Sequence, residues 1–186
     1  MYSNSFLKKY LDDLAAKLPA PGGGSAAALV GALGCALVSM VCNFTLGKEK
    51  YKDVQEDIKE IFQQSEQLRE ELLELIDLDV EAYKSKDINR CLDIPKRICE
   101  CCLEAIHLCP GLAKKGNSNL VSDVWCAVIL LEAGFFSAYV NVLINLKFLK
   151  DKEKKDKIFS NFKPLLKEVS RIKKQVAKDA RKIIGR

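Results

Sequence analysis

Between Leu18 and Gly47 the chain carries no charged residue, and the stretch Pro19–Lys48, PAPGGGSAAALVGALGCALVSMVCNFTLGK, is dominated by Gly, Ala and Ser. A helix of small residues lets neighbouring backbones come close, so the rest of the chain has to be arranged around it. Gly22, Gly23 and Gly24 free main-chain N–H groups at the positive end of that helix, which makes them and Ser25 candidates for holding an anionic or carbonyl group. Ser25 reads as the cap of a helix running to about Leu46. Its small positions Ala27, Ala28, Gly31, Ala32, Cys35, Ala36 and Ser39 share one side, while Leu33, Leu37, Val41 and Phe44 lie on another. Such a helix is roughly 30 Å long, hard for one chain of 186 residues to enclose, so a dimer with this helix near its centre is expected. About 20 apolar residues suffice to cross a bilayer, but the segment begins as a Pro/Gly loop, has few large residues and lacks a flanking basic cluster. Burial in a helical bundle or between subunits accounts for it without a membrane.

The remaining chain reads as helices throughout. Ser3–Ser5 offers caps for a first helix with Leu7, Leu11, Leu14 and Leu18 on one face, ended by Pro19 and Pro21. From Tyr51 to about Lys86 a long amphipathic helix carries a seam at Val54, Ile58, Ile61, Ser65, Leu68, Leu72, Leu75 and Asp79. A polar connector over Lys84–Asp93 precedes a helix opening at Ile94-Pro95, with Ile98, Cys102, Ala105, Cys109 and Leu112 on one face and an interruption or kink at Pro110-Gly111. Lys114–Asn119 reads as a turn, and Asn119 or Ser122 as the cap of an almost wholly apolar helix over Leu120–Lys150. Along one stripe that helix carries Asp123, Ala127, Leu130, Gly134, Ala138, Asn141 and Asn145. Lys152–Lys157 reads as a charged connector before a last helix, which Pro164 is positioned to kink. The fold class is all-α, a long-helix bundle of about five or six helices, in one domain over residues 1–186.

Net charge is +5, concentrated late in the chain, with nine Lys or Arg between Lys163 and Arg186. No aromatics interleave with them, so a solvated face is expected and nucleic acid is not. The eight cysteines read as reduced thiols of a cytoplasmic protein; Cys99 and Cys102 form a CxxC inside a helical pattern, without the second pair a metal site needs. No metal is expected. His107, the single histidine, lies off the apolar face of its helix and reads as a surface residue.

Asp79 is the sharpest chemical signal. It occupies a seam position one turn after Leu75 and one turn before Tyr83, where the pattern calls for an apolar side chain. A carboxylate there is costly unless it is paired or has a task, the other possibility being that the seam frays and Asp79 is solvated. Asp123 lies in a first helical turn, where it also favours the helix dipole. Asn141 and Asn145 are placed for a structural hydrogen bond or a ligand contact.

Several blocks, in order, resemble the cyclodeaminase/cyclohydrolase family of folate one-carbon metabolism: PAPGGGSAAALVGALGCALVSMVCNFT (Pro19–Thr45), Gly47-Lys48 with Tyr51, DVEAY (Asp79–Tyr83), GNSNLVSD (Gly116–Asp123) and YVNVLINL (Tyr139–Leu146). The connection from Tyr83 to Pro95 is shorter than the family's usual one, which touches the rim of the site. The resemblance implies a helical subunit that dimerises, with a tetrahydrofolate derivative bound in a cleft near the subunit interface. It implies one of two reactions, formiminotetrahydrofolate cyclodeaminase or methenyltetrahydrofolate cyclohydrolase, with no cofactor beyond the folate substrate. On this reading Asp79 is the principal acid/base. Asp123 is a second carboxylate or pterin partner, and Lys48 meets a folate carboxylate or polarises the site. Gly22, Gly23, Gly24, Ser25, Tyr83, Asn119 and Asn141 contact substrate. The alternative is a non-enzymatic helical folate-binding or scaffold protein that keeps the fold.

Overall fold

The computed structural model describes residues 7–185. Among them the elements are α1 (Leu7–Ala15), α2 (Gly23–Asn43), a 3₁₀ turn at Glu49–Val54, α3 (Gln55–Ser85), α4 (Ile88–Lys115), a 3₁₀ turn at Ser118–Leu120, α5 (Val121–Leu146) and α6 (Lys152–Ile184), with no strand. The caps expected at Ser3–Ser5 lie outside the described residues.

α2 is the hub, packed against α3, α4 and α5, while α4 also backs α5 and α6. The small residues explain why. A Cβ on Gly134 of α5 would lie 3.1 Å from both the Ala27 carbonyl oxygen and the Gly31 nitrogen, so α2 and α5 touch backbone to backbone. Gly31 faces Leu72 of α3 and Cys102 of α4, and Gly34 faces Leu131 of α5. The order of these contacts, Gly23 by Asn141 and Gly34 by Leu131, makes α2 and α5 antiparallel. Where α2 passes α3, the buried hydroxyls of Ser39 and Ser65 bond each other at 2.8 Å, satisfying a polar break in both apolar seams.

The seam of α3 is buried at Ile58, Ser65, Leu68, Leu72 and Leu75, and the expected face of α4 is buried at all five positions. Five local expectations need correcting. α1 ends at Ala15 and buries Tyr10, leaving Leu7, Leu11 and Leu18 largely exposed. The cap of α2 is Gly22, with Ser25 in the first turn, and the helix ends at Asn43. The connection between α3 and α4 is only Lys86-Asp87: Lys86 takes a left-handed conformation (φ 57°) and the Asp87 carboxylate caps α4 by accepting from the Asn89 N–H. α4 continues through Pro95 and Pro110 to Lys115, because flanking packing outweighs the lost N–H groups. Lys152–Lys157 is helical too, since Asp151 caps α6 by accepting from the Lys154 N–H.

Cys99 and Cys102 are buried core thiols, and burial pushes the Cys99 thiol well up. His107 sits on the surface, 3.1 Å from Glu168 of α6. α2 and α5 are each long and apolar enough, by length and composition, to cross a membrane. The window of α2 is 61% buried and that of α5 only 39%. α5 therefore presents an uncovered apolar side at Ile129, Val140 and Ile144, continued by Phe148 in the turn just beyond it.

Candidate functional site

The first turn of α2, the last turns of α3 and the C-terminal part of α5 converge on a cleft of about 300 Å³. Gly22, Gly23, Gly24, Asp79, Tyr83 and Asn141 all line it, so six of the expected site residues meet there. Among the described residues that line it, Asp79 is the only carboxylate. Ser25 joins from beneath, where its backbone N–H donates to Oδ2 of Asp79 at 2.8 Å and its hydroxyl lies 3.1 Å from the buried Tyr10 phenol. Burial raises the Asp79 carboxyl above the ordinary aspartate value, and the Ser25 N–H partly offsets this. The seam therefore does not fray. Asp79 is a half-buried carboxylate held by one main-chain donor at a helix N-terminus, with a free edge toward the cleft.

Gly24 is required by that arrangement, since a Cβ there would come within 2.7 Å of the Asp79 Cγ. Gly23 lies against the Asn141 amide, whose Nδ2 donates to the Ser137 carbonyl one turn earlier at 2.9 Å.

Cys91, Ile144 and Phe148 also line the cleft but were not among the expected site residues, and Asn145, expected to make either a structural bond or a ligand contact, lines it too. Cys91 had no readable signal, because only the two-residue turn after α3 brings it back beside Ala82, whose carbonyl accepts from its thiol at 3.3 Å. Asn145 donates to the Cys91 carbonyl. That carbonyl is the one Pro95 leaves without its helical donor four residues on, so Pro95 and Asn145 form a readable pair only once α4 and α5 are known to be adjacent.

Lys48, Asn119 and Asp123 are not in this cleft. They sit at the opposite end of α2, where Thr45 accepts from the Asn117 N–H at 2.9 Å and Tyr51 bonds Asn117 and Ser118, each at 3.3 Å. Lys48 lies over the Phe44 ring, 5.7 Å from its centroid, and Asp123 is 3.4 Å from the Ser122 hydroxyl. A larger, shallower groove of about 790 Å³ runs between α5 and α6 past Trp125, Lys174, Lys178 and Arg181. Its lining carries Lys and Arg side chains but no carboxylate, histidine or thiol, so the acid/base chemistry points to the smaller cleft.

An all-helical bundle with a perturbed carboxylate at a glycine-rich helix start defines the class of protein. The formiminotransferase-cyclodeaminase family model matches residues 6–86 and 84–163, and the chain belongs to that family. The join between the two matched segments falls at the short α3–α4 connection. The methenyltetrahydrofolate cyclohydrolase of Methylorubrum extorquens is 37% identical, over 95% of this chain and 96% of its own. The formimidoyltransferase-cyclodeaminase of Rattus norvegicus is 30% identical over 87% of this chain, which spans about a third (34%) of that longer protein. Among solved structures, formiminotetrahydrofolate cyclodeaminase from Thermotoga maritima superposes with a TM-score of 0.84 at 32% identity, covering 98% of this chain and 97% of that one.

Proposed function

We propose that this chain is a one-domain folate one-carbon enzyme, which closes or opens the ring formed when a single carbon bridges the 5- and 10-nitrogens of tetrahydrofolate. The observation that carries the reading is the half-buried Asp79 carboxylate with its raised pKa, fixed by Ser25 in a cleft. In the cyclodeaminase direction the 10-nitrogen attacks the formimino carbon and gives up its proton. The tetrahedral carbon then loses ammonia once its amino group is protonated, leaving 5,10-methenyltetrahydrofolate. In the cyclohydrolase direction water adds to the methenyl carbon and gives up a proton. The bond to the 5-nitrogen then breaks as that nitrogen is protonated, giving 10-formyltetrahydrofolate. Each direction takes one proton and returns one at neighbouring atoms, work suited to a single carboxyl whose pKa has moved toward neutrality. The reading calls for no cofactor beyond the folate.

The protein acts as a soluble cytoplasmic homodimer on this reading. The support is the uncovered apolar side of α2 and α5, with Leu33, Phe44, Val140 and Phe148 all more than half exposed. A second copy covers it without a membrane or nucleic acid.

The test gives purified protein formiminotetrahydrofolate and methenyltetrahydrofolate separately and follows methenyl absorbance. A rise with the first compound identifies deamination and a fall with the second, above the spontaneous rate, identifies hydrolysis. Binding of folate without either change leaves the scaffold alternative, and no binding removes the folate reading.

A further inference from the structure

Between Lys163 and Arg186 no aromatic residue interleaves with the nine Lys or Arg, and such a row by itself describes a solvated face. The fold supplies the missing aromatic. α5 and α6 run antiparallel, with Trp125 by Arg181 and Glu132 by Lys173, so the indole of one helix lies within the basic row of the other. The groove of about 790 Å³ between them is lined by apolar surface at Trp125 and Ile129 and by five cations. Two of these are neutralised within the chain: Lys173 pairs with Glu132, and Lys182 lies 3.7 Å from Asp179. Among the described residues no carboxylate pairs with the other three, Lys174, Lys178 and Arg181, and none lines the groove.

The helix dipole accounts for only one of the three. Arg181 stands in the last turn of α6, where a cation is favourable, but Lys178 and Lys174 stand about two and three turns before the end at Ile184. The Arg181 guanidinium lies over the Trp125 ring, 5.2 Å from its centroid, and is thereby held in the groove instead of reaching into solvent. A guanidinium plane held in this way is a prepared surface for a planar ring, and its edge suits a phosphate.

Charge and length choose the occupant. Lys174, Lys178 and Arg181 follow one another at about one-turn spacing along roughly 10 Å of helix. A single phosphate carries at most about two negative charges, so three unpaired cations in a row call for a chain of phosphates. A strand of nucleic acid needs successive stacking platforms, whereas Trp125 is the one aromatic side chain among the described residues of the groove. We propose that this groove binds a nucleoside di- or triphosphate, with its base against Trp125 and Arg181 and its phosphates along Lys178 and Lys174. The site is separate from the Asp79 cleft, because Trp125 and Asn141 stand about 24 Å apart along α5. It does not depend on the folate reading.

Trp125 is the chain's single tryptophan, so its emission reports this groove directly. Wild-type protein is titrated with ATP, GTP and inorganic triphosphate without divalent metal, followed by tryptophan fluorescence and by calorimetry. One saturable site is expected, at which both nucleotides bind about tenfold or more tighter than inorganic triphosphate because the base adds a stacking contact. Affinity is expected to fall as salt rises. The double variant Lys174→Glu/Lys178→Glu changes two exposed side chains and is expected to keep the wild-type melting temperature while binding ATP at least about tenfold more weakly. Absence of saturable binding, equal ATP affinity in the double variant, or equal affinity for inorganic triphosphate and ATP overturns the proposal. Tighter binding of an oligoadenylate than of ATP makes the occupant a strand and overturns it too.

Discussion

The Ser25 backbone N–H donates to Oδ2 of Asp79 at 2.8 Å, tying the first turn of α2 to the last turns of α3 at the floor of the cleft. The carboxylate can approach that N–H because the preceding residue, Gly24, has no side chain. Gly24→Ala is expected to push the carboxylate aside while leaving the helix intact. A displacement of about 1 Å costs on the order of 100-fold in turnover. Steady-state kinetics beside a far-ultraviolet melting curve checks it, since a folded but slow variant separates misplacement from misfolding.

Asp79→Asn is expected to lose roughly 10²–10⁴-fold in turnover, the usual contribution of a general acid or base, and yet to be more stable than wild type at neutral pH. Burial raises this carboxyl in the folded state only. Between the ordinary aspartate pKa and the raised one, the folded chain binds more protons than the unfolded chain, so stability falls as pH rises through that window. The cost is fully present above the raised value and absent below the ordinary one. Denaturant midpoints of the two proteins over a pH series are therefore expected to converge on acidification. The slope of their difference is at most about 1.4 kcal/mol per pH unit for a single group.

The Asn145 amide and the Cys91 carbonyl offer a double-mutant cycle. Asn145→Ala leaves that carbonyl without a donor, at a cost of about 1–2 kcal/mol. Pro95→Ala restores an N–H four residues on, which can take over the same carbonyl. In the Pro95→Ala background the loss of Asn145 is expected to cost less than in wild type, and urea denaturation of the four proteins measures the coupling.

At Gly134 the backbones of α2 and α5 meet, with backbone atoms of Ala27 and Gly31 both 3.1 Å from its absent Cβ. Gly134→Val is expected to destabilise the fold by about 1–3 kcal/mol through forced separation of the helices. A control at Gly22, where a Cβ meets nothing within 4 Å, is expected to leave the midpoint of thermal unfolding nearly unchanged.

Much of this protein was legible before any coordinates. The periodicity of apolar residues specified the long helices, the small residues of Pro19–Lys48 specified a central helix that others approach closely, and the out-of-place residue Asp79 pointed to the carboxylate that lines the cleft. These are local properties, carried by residues three and four apart on one helix face. Helix ends were less legible: Asp87 and Asp151 capped segments whose charge read as connectors, because a cap needs only one well-placed carboxylate. Tertiary structure alone decided what meets across helices. It brought Cys91 and Asn145 to the cleft, gave Ser25 to Asp79 rather than to its own helix end, and put Lys48, Asn119 and Asp123 at the far end of α2. Sequence spacing reports which residues share a face. It carries no measure of the distance between two ends of a rigid helix until the helices packed around it are known.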